Sequence, residues 1–309
     1  MNVFLTGGTG AVGPATVRAL REQGHEVRAV ARSDVKAAQL RKLGAEPARV
    51  DLFDGDAVKQ AVDGCEAVLH LATNVPPLRR MASKKGWVTH NRLRTTATEM
   101  LVDAALTTGA TKFVKESVSF VYPDGGDAWI DETTPADESV GMLQPTLEGE
   151  RIIDRFTAGS GQGVVLRFGS FYGPTARAID EALRLARWRL SMVGGEPQSY
   201  VSSIHTDDVA GAAVAALDAP AGIYNVVEDD PVTRREYLDA FSAAFGVRKL
   251  RPTPTWLVKL TSRAAAAAVI RSWRISNRKL RDATGWSPRY PSVREGWPAV
   301  ALAREASHA

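Results

Sequence analysis

The chain has 309 residues, 44% of them apolar and 24% charged, with a formal net charge of +4. These proportions suit a globular protein with room for one large domain plus a lobe, and they exclude a disordered chain; Cys65 is the single cysteine, which excludes a disulfide scaffold. No apolar run approaches a membrane span, and a lone cysteine with no basic, apolar leader points to a cytoplasmic protein.

The first apolar run, Val3-Phe4-Leu5, ends in Thr6-Gly7-Gly8-Thr9-Gly10-Ala11-Val12-Gly13. Val12, Val17 and Leu20 then fall on one helical face. Strand, glycine turn and helix in that order are the context that makes Gly8-x-Gly10-x-x-Gly13 a dinucleotide fingerprint. Glycines permit a tight turn and let backbone approach a pyrophosphate. The open N–H groups and dipole at the helix start then hold its charge. Pro14 sits in the first helical turn, where its missing N–H costs little.

Further strands are predicted at His25–Ala31, Pro47–Val50, Ala67–Leu71, from Lys112 into Val114, and at Val164–Phe168. Helices fill the gaps, including one long helix over Trp87–Thr107. This alternation gives an α/β fold with a doubly wound parallel sheet of Rossmann type. Strand two runs into Ala31-Arg32-Ser33, with no acid where an NAD-binding sheet keeps one for the ribose 2′-hydroxyl. The planar fork of Arg32 suits a 2′-phosphate, so NADP is expected ahead of NAD. The competing reading is that the adjacent Asp34 pairs with Arg32.

After Pro174 the regular alternation stops. Arg177–Leu190 reads as helix, Val201–Asp208 as a strand leading into a helix at Val209–Leu217, and Gly222–Val226 as a strand. Thr233–Phe245 is a helix whose Thr233 and Glu236 make a capping box. The division is therefore a dinucleotide-binding domain over 1–174, to which 201–226 returns, and a smaller C-terminal substrate lobe within 175–309. Trp256–Ile275 contains Ala264–Ala268 among scattered Arg and Lys. It reads as a helix packed on that lobe in preference to a helix on a membrane surface. Arg248–Glu305 holds thirteen Lys/Arg against three acids. That excess is either a solvated basic face or a rim drawing in an anionic substrate; no recognition motif for nucleic acid accompanies it. The histidines and acids show no metal-ligand spacing.

The phrase Thr6-Gly7-x-x-Gly10-x-x-Gly13 resembles that of the short-chain dehydrogenase/reductase superfamily, in its extended branch of NAD-dependent epimerases and dehydratases. Val68-Leu69-His70-Leu71-Ala72, Phe171-Tyr172-Gly173-Pro174, Ile204-His205-Thr206-Asp207-Asp208-Val209, Gly222-Ile223-Tyr224-Asn225-Val226 and Gly285-Trp286-Ser287-Pro288 resemble family phrases in the family's order. The resemblance implies that the dinucleotide is held by Thr6 through Gly13, by Asp51 and Leu52 after strand three, and by Leu71, Ala72 and Thr73. It also implies that Asn91 orders water at the active site, and that two copies pair through helices near Trp87–Thr107 and Met142–Ala158.

The same resemblance breaks at the chemistry. The family uses a Tyr-x-x-x-Lys pair on one helix face, with a Ser or Thr as third partner. Aligned on Thr146-Leu147-Glu148-Gly149-Glu150, Met142 takes the tyrosine position and Thr146 the lysine position, while Val118 takes the third. Methionine has no proton to give and threonine carries no charge. Lys115, Ser117, Ser119 and Tyr122, at the end of strand five, are the groups left to act on a substrate, each weighed against an ordinary structural role. Three functions stay open. One is an NADP(H)-binding oxidoreductase or epimerase acting on a small molecule through a non-standard proton relay. The second is an inactive dinucleotide sensor similar to the NmrA-like group. The third is a non-redox lyase or isomerase using the same cleft.

Overall fold

The computed structural model describes residues 1–76, 80, 83–159, 161–174, 177–191, 193–261 and 270–308. A sheet of seven strands carries the architecture. From one edge to the other these are Glu46–Ala48, Glu26–Val30, Asn2–Thr6, Ala67–His70, Lys112–Val118, Gln162–Phe168 and Gly222–Val226. Every pairing is parallel. In chain order this reads 3-2-1-4-5-6-7, so the direction of winding reverses between Asn2–Thr6 and Ala67–His70. That reversal opens a crevice at the carboxyl ends of these strands.

Alternate residues feed two cores, because side chains along a strand point to opposite faces. Val3, Leu5, Leu69, Val114 and Leu166 meet Val17 and Leu20 of helix Gly13–Glu22, and Val209 and Ala213 of helix Thr206–Ala215. Phe4, Val68, Phe113 and Val165 meet Leu101, Val102, Ile153 and Phe156 on the other side. The C-terminal lobe has a separate core, in which Tyr172, Ile179, Leu238, Phe241 and Val293 surround Trp297. The capping box forms as expected, with Thr233 and Glu236 bonding each other's backbone at the start of helix Arg234–Ala244.

Three expectations are corrected. The single helix over Trp87–Thr107 is two helices, Lys84–Arg94 and Thr96–Thr108. Thr95 lies between them at φ −108°, ψ −84°, and its hydroxyl takes the Asn91 carbonyl, a local bond that competes with the helix. The helix from Arg177 ends at Ala186. In Trp256–Ile275 only Thr255–Thr261 is described as helix, and Arg263 and Ala264–Ala268 lie outside the described residues. Arg274–Ile275 is a strand, parallel to Trp129–Ile130. Trp273 anchors it by stacking on Phe120 and donating its indole N–H to the Tyr122 carbonyl at 3.1 Å. Among the described residues, no helix is long and apolar enough to cross a membrane.

Four of the late arginines pair with acids of the same chain. Arg271 pairs with Asp137, Arg281 with Asp229, Arg294 with Asp230 and Glu236, and Arg304 with Asp180. Two further ion pairs are sealed under the sheet. Arg167 grips Glu150 through Nε at 3.0 Å and Nη2 at 2.6 Å, and Arg94 meets Glu116 at 2.9 Å. Truncating one partner leaves the other charge buried and unpaired, so Glu150→Ala should cost about 3–5 kcal/mol in urea unfolding. A loss below about 1 kcal/mol, the range of an exposed pair, would show that water reaches Arg167.

Candidate functional site

The glycine loop is held from behind. Thr6 is fully buried, its hydroxyl lying 2.7 Å from His70 Nδ1 and accepting the Ala72 N–H at 3.2 Å. Burial, and then the charge of Lys115, lowers the His70 pKa to about 3, so the ring is neutral at physiological pH. Its Nε2–H donates to the Leu93 carbonyl at 2.9 Å, which leaves Nδ1 to accept from Thr6.

The glycines divide by what would meet a side chain. A Cβ on Gly7, whose φ is +84°, would lie 2.7 Å from the Leu71 carbonyl carbon. One on Gly13 would lie 2.3 Å from the Gly7 carbonyl oxygen. Those two glycines, and to a lesser degree Gly8 against Ala29, are required by the protein's own packing. Gly10 is not: it is exposed at the tip of the turn, and a Cβ there would meet only the Gly7 oxygen, at 3.2 Å. The space it leaves is open to a ligand. Thr9 and Ala11 flank it, and Val12 stands at the cap position of helix Gly13–Glu22. No side chain caps that helix, and its first turn carries no acid. An uncapped helix start of this kind suits an anion such as a pyrophosphate. Leu71 is buried, Ala72 half-buried and Thr73 exposed along the adjoining segment.

Arg32 is exposed just beyond strand Glu26–Val30. Asp34 does not take it; it pairs with Arg49 at 3.0 Å. Ser33 caps helix Asp34–Lys42 by accepting the Lys36 N–H at 3.3 Å. Arg49 is thus a second cation at this corner that the sequence reading missed. Its place just after Ala48, at the end of strand three, was the available signal. Asp51 is exposed and accepts the Phe53 N–H at 3.0 Å, whereas Leu52 is buried in the core. Asn91 is half-buried, and its carbonyl receives the Thr95 hydroxyl at 3.1 Å.

The expected catalytic groups fare differently. Lys115 is 1% exposed, and its Nζ donates to the Glu116 carbonyl at 3.1 Å. Burial, then the neighbouring Arg94, lowers its pKa to about 8. Its stem passes beneath Gly149, where a Cβ would come within 2.7 Å of Lys115 Cε. Ser117 is fully buried and donates to Glu150 at 2.5 Å. Tyr122 is fully buried too, with its hydroxyl donating to Asn225 at 2.9 Å and its ring under the Arg167 guanidinium. Those three are committed to the interior: Lys115 and Ser117 lie under Gly149 and Glu150 of helix Gln144–Ala158, and Tyr122 packs with Ile130, Val227, Trp273 and Ile275. Ser119 is buried with a hydroxyl that has no partner among the described residues. At the dyad positions, Met142 packs against the cluster of Val121, Val140, Leu143 and Leu147, and Thr146 is 3% exposed.

A glycine cradle at the switch point of a doubly wound parallel sheet, beside a separate lobe, defines a dinucleotide-binding α/β protein. The NAD dependent epimerase/dehydratase family matches residues 3–227, and the chain belongs to that family. A 3-diazoavenalumate denitrifying reductase from Streptomyces sp is 32% identical over 306 residues, covering 96% of this chain and 99% of the relative. Human epimerase family protein SDR39U1, solved with NADPH, is 24% identical with a TM-score of 0.77, covering 98% of this chain and 99% of that one. UDP-glucose 4-epimerase of Thermotoga maritima, solved with UDP-glucose, is 19% identical with a TM-score of 0.77 over the whole of both chains. These two neighbours share the fold along nearly the whole chain.

Two expectations follow from this geometry. Gly10→Val should keep the fold and abolish dinucleotide binding, whereas Gly13→Val should unfold the loop itself; calorimetric titration with unfolding controls separates them. Glu228 gives the second. It is 2% exposed, it accepts the Tyr172 hydroxyl, and burial, reinforced by the charge of Asp208, raises its pKa to about 8. A folded-state pKa above the unfolded value means that the native protein binds more protons between the two. The contribution is full below about pH 4.5 and is lost as pH rises to about 8, on the order of a few kcal/mol. Glu228→Gln should flatten that fall when stability is measured from pH 5 to 8.

Proposed function

We propose that the chain is an NADP(H)-dependent reductase whose substrate takes hydride without a proton from the protein. The observation that carries this reading is the pair Met142 and Thr146 in a family whose chemistry rests on Tyr and Lys at those positions. The cradle of Thr6–Gly13 holds the pyrophosphate, and Arg32 with Arg49 holds the 2′-phosphate. A bound reduced nicotinamide supplies hydride in this cleft. Ser119, whose buried hydroxyl has no partner among the described residues, is the group left to orient a substrate.

A ketone that accepts hydride becomes an alkoxide and needs a proton, which is the work of the missing tyrosine. An arenediazonium cation that accepts hydride becomes an arene and dinitrogen, with charge balanced and no proton required. The Streptomyces relative is named as a denitrifying reductase of a diazo compound, and that acceptor class suits an active site with no tyrosine–lysine relay. The outer helices Thr96–Thr108 and Gln144–Ala158, tied by Arg155 to Asp103 at 3.0 Å, are the proposed surface for a two-fold pair of copies.

Purified protein with NADPH and an arenediazonium salt should oxidise cofactor and release nitrogen faster than the uncatalysed mixture, and leave simple ketones untouched. NADP should bind at least about tenfold tighter than NAD, and Arg32→Ala should remove most of that gap, as expected for a hydrogen bond to a charged group. Met142→Ala and Thr146→Ala should keep activity within about tenfold, since neither side chain does acid–base work. Tight dinucleotide binding with no oxidation by any acceptor would favour a sensor instead.

A further inference from the structure

The C-terminal lobe contains a cavity of about 110 Å³. Phe171, Tyr172, Tyr237, Phe241, Leu250 and Trp297 contribute much of its wall, and no charged residue is among the described residues that line it. Trp297 is 3% exposed, and its indole N–H is buried without a hydrogen-bond partner among the described residues. The other polar groups around it include the Tyr172 hydroxyl, bound to Glu228, and the Ser191 hydroxyl, which accepts the Val193 N–H at 2.9 Å. A buried donor left unmet is costly unless something comes to accept from it. The rings around Trp297 are close, with Tyr172 at 4.6 Å and Phe241 at 5.1 Å between centroids. An engineered apolar cavity of about 150 Å³ holds benzene, so this somewhat smaller space admits at most one six-membered ring and excludes a nucleotide or a sugar phosphate.

The cavity also lies in the right place. Its Phe171–Tyr172 wall belongs to strand Ser170–Tyr172, which follows the sheet strand Gln162–Phe168 at its carboxyl end. Phe171 is 40% exposed, so the wall reaches the surface on the side where ligands of such sheets bind. We infer that this cavity takes a phenol-type ring of the substrate, the ring stacking among Tyr172, Phe241 and Trp297 and its oxygen accepting from the Trp297 indole N–H. The inference rests on the reductase reading for its connection to turnover, and it adds the substrate class.

The probe is phenol, titrated without cofactor into nitrogen-15-labelled protein. The indole signal that is missing from Trp297→Phe should shift saturably in the native protein. Trp297→Phe should weaken phenol about fivefold, the loss of one ordinary hydrogen bond, and leave benzene affinity unchanged. Filling the space with Ala182→Phe should remove binding of both, and UDP-glucose should not displace phenol. An unmoved Trp297 signal, phenol and benzene weakened alike by Trp297→Phe, or displacement by UDP-glucose would each overturn the inference. Because no turnover is measured, these outcomes leave the hydride-transfer reading standing, and failure of that reading leaves ring binding intact.

Discussion

Charge sealed beneath the carboxyl end of strand Lys112–Val118 sets much of the remaining geometry. Arg94, Lys115, Glu116, Glu150 and Arg167 are all buried. Buried charges persist only when paired in good geometry. Glu150 must therefore reach Arg167, which fixes the register of helix Gln144–Ala158 against the sheet. That register sets Gly149 over the Lys115 stem and puts Thr146 one turn earlier on the same face. Burial, and then the charge of Arg94, lowers the Lys115 pKa, and a lysine at 146 would add another cation on that helix face.

The same burial keeps His70 and His90 neutral. His70 and His90 are both driven to about pH 3 by burial and nearby cations, and their roles are those of neutral hydrogen-bonding rings. His70 stitches the loop strand to its neighbour through Thr6, which makes the glycine cradle a rigid feature of the sheet. The lobe adds a cavity whose described lining is largely aromatic and aliphatic.

The fold was legible because parallel strands buried on both faces leave short apolar runs between helices. Ala67–His70 and Gly222–Val226 lie within or match the predicted spans, and Thr233 with Glu236 announced a helix start at its true place. The glycine loop was legible because steric need at Gly7 and Gly13 leaves a fixed spacing. The rest depended on partners far apart in the chain. Strand Arg274–Ile275 exists through its pairing with Trp129–Ile130, and two residues carry no periodicity. Lys115, Ser117 and Tyr122 looked available at a strand end, and only the packing of Glu150 and Asn225 shows them enclosed. The lobe cavity joins residues from Phe171 to Trp297, a grouping that no local pattern records.

The central claim is that the protein contributes no proton to the reduced product. Single-turnover cofactor oxidation with an arenediazonium, compared in ordinary and heavy water, tests it most directly. The account predicts equal rates in the two solvents, with rates slowed only when the cofactor carries deuterium at the transferred position. A clear slowing in heavy water, with deuterium from the solvent appearing at the reduced carbon, would contradict it.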